Sequence, residues 1–261
     1  MFDFPNIDHR KYNKNFLKTV IFQIVFEENI LLKDNKKKVV EIFSKVFPRV
    51  NDQVTKGFQI SFKNDQTPIL HNIDNENTGI PFEMRSNDGE RILTIDNSSL
   101  SYTISGKSYT SFDDLKIELE LLNSFFELTQ IKKLKRIAVR KINIIEFKVN
   151  ENASDVLALL ISPELLSNLN YFPNNKFIMQ NIQTINYQKD DFKLNIKYGL
   201  NIPPIPNQEI GQIILDIDLF STSPIESNET IGRAEEINNE IFNVFNWAIS
   251  DKTKSILDGH A

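Results

Sequence analysis

Apolar and polar positions alternate along FLKTVIFQIVF, Phe16 to Phe26, so that Val20, Phe22, Ile24 and Phe26 share one face. That period of two predicts a strand. The pattern then lengthens to a helical one, with Val39, Val40, Phe43, Val46 and Phe47 recurring until Pro48 and Asp34 expected as the cap. GFQISFK, Gly57 to Lys63, alternates again as a strand, and the polar run Asn64 to Thr78 is expected to be an exposed loop. MRSNDGERILTI and SSLSYTISG follow as short alternating runs with turn chemistry at Asn87 to Gly89 and at Asp96 and Asn97, which predicts an antiparallel meander. Ser111 with an acid three residues on resembles a capping box, and Leu115, Leu119, Leu122 and Phe126 trace the stripe of the helix it opens.

That helix delivers the chain to LKRIAVRKINIIEF, Leu134 to Phe147, which reads as a further strand. The second half repeats the order loosely. Asp155 to Leu169 reads as a helix interrupted near Pro163, Phe177 to Tyr187 and Phe192 to Tyr198 as two strands joined at Lys189 to Asp191, and Gln212 to Phe220 as another strand. Thr230 starts a long helix with Ala234, Ile237, Ile241, Phe245 and Ala248 on one side, and Asp251 leads into a short terminal turn. Antiparallel strands with segregated helices predict an α+β fold. Two lobes are expected, residues 1–150 and 151–261, each made of antiparallel strands packed by a long amphipathic helix and joined as one unit.

Composition narrows the chemistry. The chain has no cysteine, which removes disulfides, thiolate metal sites and thiol nucleophiles. Its apolar runs are far shorter than the roughly 20 residues that cross a bilayer, and no leader pattern opens it, so a cytoplasmic protein without a membrane segment is expected. A formal net charge of -5 argues against a surface that tracks phosphate throughout. Six basic residues nevertheless fall between Lys132 and Lys141, and Lys132, Lys133, Arg136 and Arg140 are the candidates for a nucleic-acid contact. Strand parity splits them: Lys141 and Asn143 fall with Ile137, Val139, Ile145 and Phe147, whereas Arg136 and Arg140 fall on the opposite side. A structural role is therefore expected for the cations, and for Asn143 a hydrogen bond to neighbouring backbone.

Asp216 and Asp218 lie two apart on one strand face, the spacing at which two carboxylates can share a divalent cation if a third oxygen ligand joins them. They are the metal candidates, with an alternating solvent face as the other reading. His9, His71 and His260 fall in an arm, a loop and the terminus, and no catalytic or cofactor motif is recognisable, so no cofactor is expected. The apolar arc of the last helix is wide, because Phe242 and Trp247 lie beside its main stripe; burial between the lobes and contact with a partner both explain that.

KNFLKTVIFQIVF near the start, VRKIN around Arg140 to Asn143, and RAEEINNEIFNVFNWAISDKTKSIL from Arg233 to Leu257 together resemble a sporadically distributed, uncharacterised bacterial family of about 250 residues. The resemblance implies no activity; patchy distribution fits genes of antiviral defence or immunity modules. The expected function is a non-enzymatic interaction or accessory scaffold with a protein partner, encoded by a neighbouring gene or a second copy of the chain. The alternatives are a metal-dependent phosphodiesterase or nuclease centred on Asp216 and Asp218, and a nucleic-acid binder using Lys132 to Lys141.

Overall fold

A computed structural model of the 261-residue chain describes residues 1–5, 12–51, 58–62, 68–72, 82–148, 153–166, 180–201 and 210–259, and for 58–62, 68–72, 153 and 154 the backbone alone. The first strand, β1 (Leu17–Phe26), alternates buried and half-buried residues as its sequence dictates. Two short helices follow, α1 (Leu31–Asp34) and α2 (Lys36–Phe43), and Asp34 closes the first of them instead of capping the second. Next come β2 (Arg49–Asn51), β3 (Phe58–Phe62) and β4 (Pro68–Asn72). The polar run expected to be all loop thus contains a strand, β4, which pairs with β3 as a separate two-stranded sheet. β5 (Phe82–Arg85), β6 (Arg91–Ile95) and β7 (Ser99–Ser105) form the predicted meander.

Helix α3 (Phe112–Thr129) opens with the capping box expected at Ser111, whose hydroxyl accepts from the Asp113 amide while Asp114 reaches back to the cap. β8 (Lys133–Lys148) is the longest strand, and α4 (Ala153–Leu160) ends before Pro163 begins a single 3-10 turn. β9 (Gln180–Lys189) and β10 (Phe192–Asn201) make the predicted hairpin; the first residues assigned to β9, 177–179, lie outside the described residues. β11 (Ile210–Ser221), the short β12 (Ile225–Glu226) and α5 (Thr230–Ala248) follow. Where only a turn was expected, Ser250 caps a further helix, α6 (Asp251–Asp258), by accepting from the Thr253 amide, and Gly259 ends it in the left-handed region at φ 85°.

The fold is α+β. One ten-stranded antiparallel sheet runs β2-β5-β6-β7-β1-β8-β11-β10-β9, with β12 added to the start of β8. Each half follows one plan: a first strand, helix, three-strand meander and long helix, with the last meander strand returning beside the first. β1 and β8 are those first strands, and they pair with each other at the centre. The sheet is therefore continuous across the expected boundary near residue 150.

Helices α3 and α5 lie over one face of the sheet. Val20, Phe22 and Ile24 of β1, Tyr102 of β7, Ile137 and Val139 of β8, and Ile217 and Leu219 of β11 are buried beneath α3 and α5. A register shift between Val25 and Phe26 turns Leu134 to that face as well, out of step with Arg136. Inside the helical layer, Glu118 of α3 is fully buried and paired with Arg91 of β6, and its Oε2 has no hydrogen-bond partner. Among the described residues, no helix is long and apolar enough to cross a membrane.

Candidate functional site

Pairing on both sides fixes the direction of every β8 side chain, so the two faces of this strand define two candidate sites. On the face away from the helices, Arg140 forms a two-point ion pair with Asp216, Nε to Oδ1 at 2.8 Å and Nη2 to Oδ2 at 2.6 Å. Arg136 lies 3.5 Å from Asp218, stacks its guanidinium 4.3 Å from the Phe220 ring centroid, and donates to Gln23. The metal candidates are thus each matched by a guanidinium. Among the described residues, no group of three or more His, Asp or Glu side chains could hold a metal ion. Burial pushes the Asp218 carboxyl above its ordinary range against the pull of Arg136 and Arg140, while hydrogen bonding to Asp216 raises the Arg140 guanidinium.

The neighbouring cations are matched too: Lys133 lies 3.5 Å from Glu226 and Lys135 2.8 Å from Glu27, both at the surface. Lys132 precedes the strand and is exposed, and its carbonyl accepts from the Ser227 amide. The cations proposed for nucleic acid are therefore distributed as the parity argument expects, with Arg136 and Arg140 among acids of β11.

The helix-facing side of β8 is different. After the fully buried Ile137 and Val139, the next two positions of the same parity are Lys141 and Asn143. Asn143 is buried and donates to the Leu215 carbonyl at 3.2 Å, the backbone role expected of it. Lys141 sits opposite Val20 and Ile217 in the register, with apolar neighbours on either side. Its ammonium lies 4.9 Å from the centroid of the Tyr109 ring, a cation–π contact. Among the described residues no carboxylate pairs with it. The side chain is half-buried, and desolvation of its amine holds it below the ordinary lysine range, at about 8.

Lys141, Asn143 and Tyr109 line a cavity of about 220 Å³. Its apolar wall is Leu17, Ile217, Ile241, Phe242, Phe245 and Leu257, drawn from β1, β11, α5 and α6. The Tyr109 hydroxyl donates to Asn238 of α5 at 2.9 Å, which fixes the ring beside the amine, and burial pushes its phenol up. The mouth is formed by the arm before β1, where Asn13, Lys14 and Asn15 are exposed. That arm is pinned at both ends: the Lys14 amide donates to the Leu257 carbonyl at 3.0 Å, Asn13 donates to the Asp258 carbonyl at 2.8 Å, and the Ile144 amide donates to Phe16 at 2.9 Å.

The arm also accounts for the wide apolar arc of α5. The Tyr12 ring packs 6.2 Å from Phe242 and 6.4 Å from Phe245, and its hydroxyl donates to Asn246. Phe4 lies 5.1 Å from Trp247, and Phe2 is buried with its amide 2.6 Å from the Glu240 carboxylate. The two partner-binding candidates, Phe242 and Trp247, thus meet aromatic residues of the chain's own first segment. His9 and His260 lie outside the described residues, and His71 falls in β4, whose backbone alone is described.

Sequence reasoning placed Lys141 on the core side but counted it with the surface cations, and it missed Tyr12 and Tyr109. The available signal was a lysine at core parity in a central strand, flanked by apolar cross-strand partners. In comparison with known proteins, no family model and no curated protein matches this chain.

Proposed function

We propose that this is a non-enzymatic binding protein whose recognition site is the cavity between β8, β11, α5 and the N-terminal arm. The observation that carries this reading is the amine of Lys141, unmatched by any acid among the described residues, lining a cavity whose other side is the apolar wall of Leu17, Ile217, Ile241, Phe245 and Leu257. A half-buried ammonium with no matching acid gives up part of its hydration without compensation, so a strand built for stability alone would hold an aliphatic side chain there. Concave, mainly apolar sites with a few convergent polar groups are where small molecules bind. An accessory role in a mobile defence or immunity module, acting through a protein partner, accords with such a recognition protein and is proposed as its setting.

The test is ligand-observed NMR with a set of small fragments, comparing the natural protein with Asn15→Trp, which fills the mouth from an exposed position. Fragments should bind the natural chain and lose contact with the filled variant. A set that ignores the natural chain, or binds both proteins alike, ends the cavity reading.

A further inference from the structure

The chemistry of the cavity narrows what it takes. Resting on the binding reading above, we propose that the ligand is a small carboxylate with an apolar body. Its carboxylate meets the Lys141 ammonium and an Asn143 amide N–H, and its body lies against Ile217, Ile241 and Phe245.

Three observations lead there. The first is charge: an ammonium facing Tyr109, with Asn143 on its own strand and Tyr12 and a second cation, Lys14, on the arm, has no acid facing it among the described residues. A monoanion completes that set with a charge-assisted hydrogen bond. The second is donor capacity. Asn143 uses one N–H on the Leu215 carbonyl and retains another, so two donors, one charged and one neutral, match the two oxygens of a carboxylate. A phosphate dianion calls for more, usually arginine forks or a row of backbone amides, and no arginine lines this cavity. The third is the wall of Leu17, Ile217, Ile241, Phe245 and Leu257, whose aliphatic and aromatic side chains fit a hydrocarbon or a single ring.

The experiment is calorimetric titration of the full chain with hexanoate and phenylacetate, each beside its matched alcohol, hexanol and 2-phenylethanol, and with hexyl phosphate. The same series is run on Lys141→Met and Lys141→Arg, whose folding is checked by circular dichroism. The carboxylates should bind the natural chain at least ~10-fold more tightly than their alcohols, the scale of one charge-assisted hydrogen bond. Lys141→Met should remove that preference while alcohol binding persists, and Lys141→Arg should restore part of it. Equal binding of acids and alcohols, or an acid preference that survives Lys141→Met, overturns the carboxylate assignment and leaves the cavity reading standing. Tighter binding of hexyl phosphate than of hexanoate overturns it too. If no compound of the series binds, both readings fall.

Discussion

At the scale of single residues, Lys141 and Glu118 are two ionisable groups withdrawn from water to different degrees, the lysine half-buried and the glutamate fully buried. Lys141 has a folded-state value of about 8 against 10.5 for a free lysine, so between those values the unfolded chain binds more protons than the folded one. Stability contributed at this site therefore rises as pH climbs from about 8 towards 10.5, and below that window the full penalty of the buried charge is present. Lys141→Met should accordingly stabilise the fold at pH 7 by about 1 to 3 kcal/mol, read as a higher denaturation midpoint. That advantage should shrink across the window and vanish above it; a variant no more stable than the natural chain at pH 7 would show that the amine is solvated after all. Glu118 is the converse, a buried carboxylate matched by Arg91. Arg91→Met should destabilise by about 3 to 5 kcal/mol, because the acid is left behind, and Glu118→Gln should cost clearly less. Equal losses from the two changes in urea titrations would contradict this account. Parity made the side of Lys141 legible in the sequence, but Tyr109 and Tyr12 come from distant segments, and nothing in a period of two says which ring will stand over an amine.

At the scale of elements, α5 shows what periodicity can and cannot tell. Of its predicted stripe, Ala234, Ile237, Ile241 and Ala248 are fully buried, whereas Phe245 is half-buried at the cavity. The residues beside the stripe promised a second contact without naming it. The structure supplies the N-terminal arm, which the sequence showed only as a polar lead-in because its apolar residues, Phe2, Phe4 and Tyr12, are too sparse for any period. Trp247 is the sole tryptophan of the chain, so its emission reports this contact directly. Phe4→Ala should shift that emission to longer wavelength and lower stability by about 1 to 3 kcal/mol, as a large-to-small change at a partly buried ring does. An unchanged spectrum would place the arm elsewhere in solution. α6 reads in the sequence only as a turn for a related reason: its first turn after Ser250 is charged, and the apolar residues Ile256 and Leu257 come too late to set a pattern.

At the scale of the whole molecule, the halves share a plan of strand, helix, meander and helix, yet β1 and β8 pair along most of their length at the centre of one sheet. Sequence reading recovered most elements of each half because their patterns are local, though not β4 or α6. It could not place β1 against β8, since strand pairing between residues more than a hundred positions apart leaves no local trace. The pairing has an energetic consequence. Separating the halves would expose the hydrogen-bonding edges of both central strands and uncover the apolar face shared by α3 and α5, so neither half has a low-energy state without the other. Unfolding should therefore be a single cooperative event. Trp247 reports on α5 and the arm packed against it, whereas far-ultraviolet circular dichroism reports on both halves throughout. The two signals should trace one coincident transition in urea, and calorimetric and van't Hoff enthalpies should agree. Two separated transitions, with tryptophan emission following only one of them, would mean that the halves open independently and that the central β1–β8 ladder does not couple them.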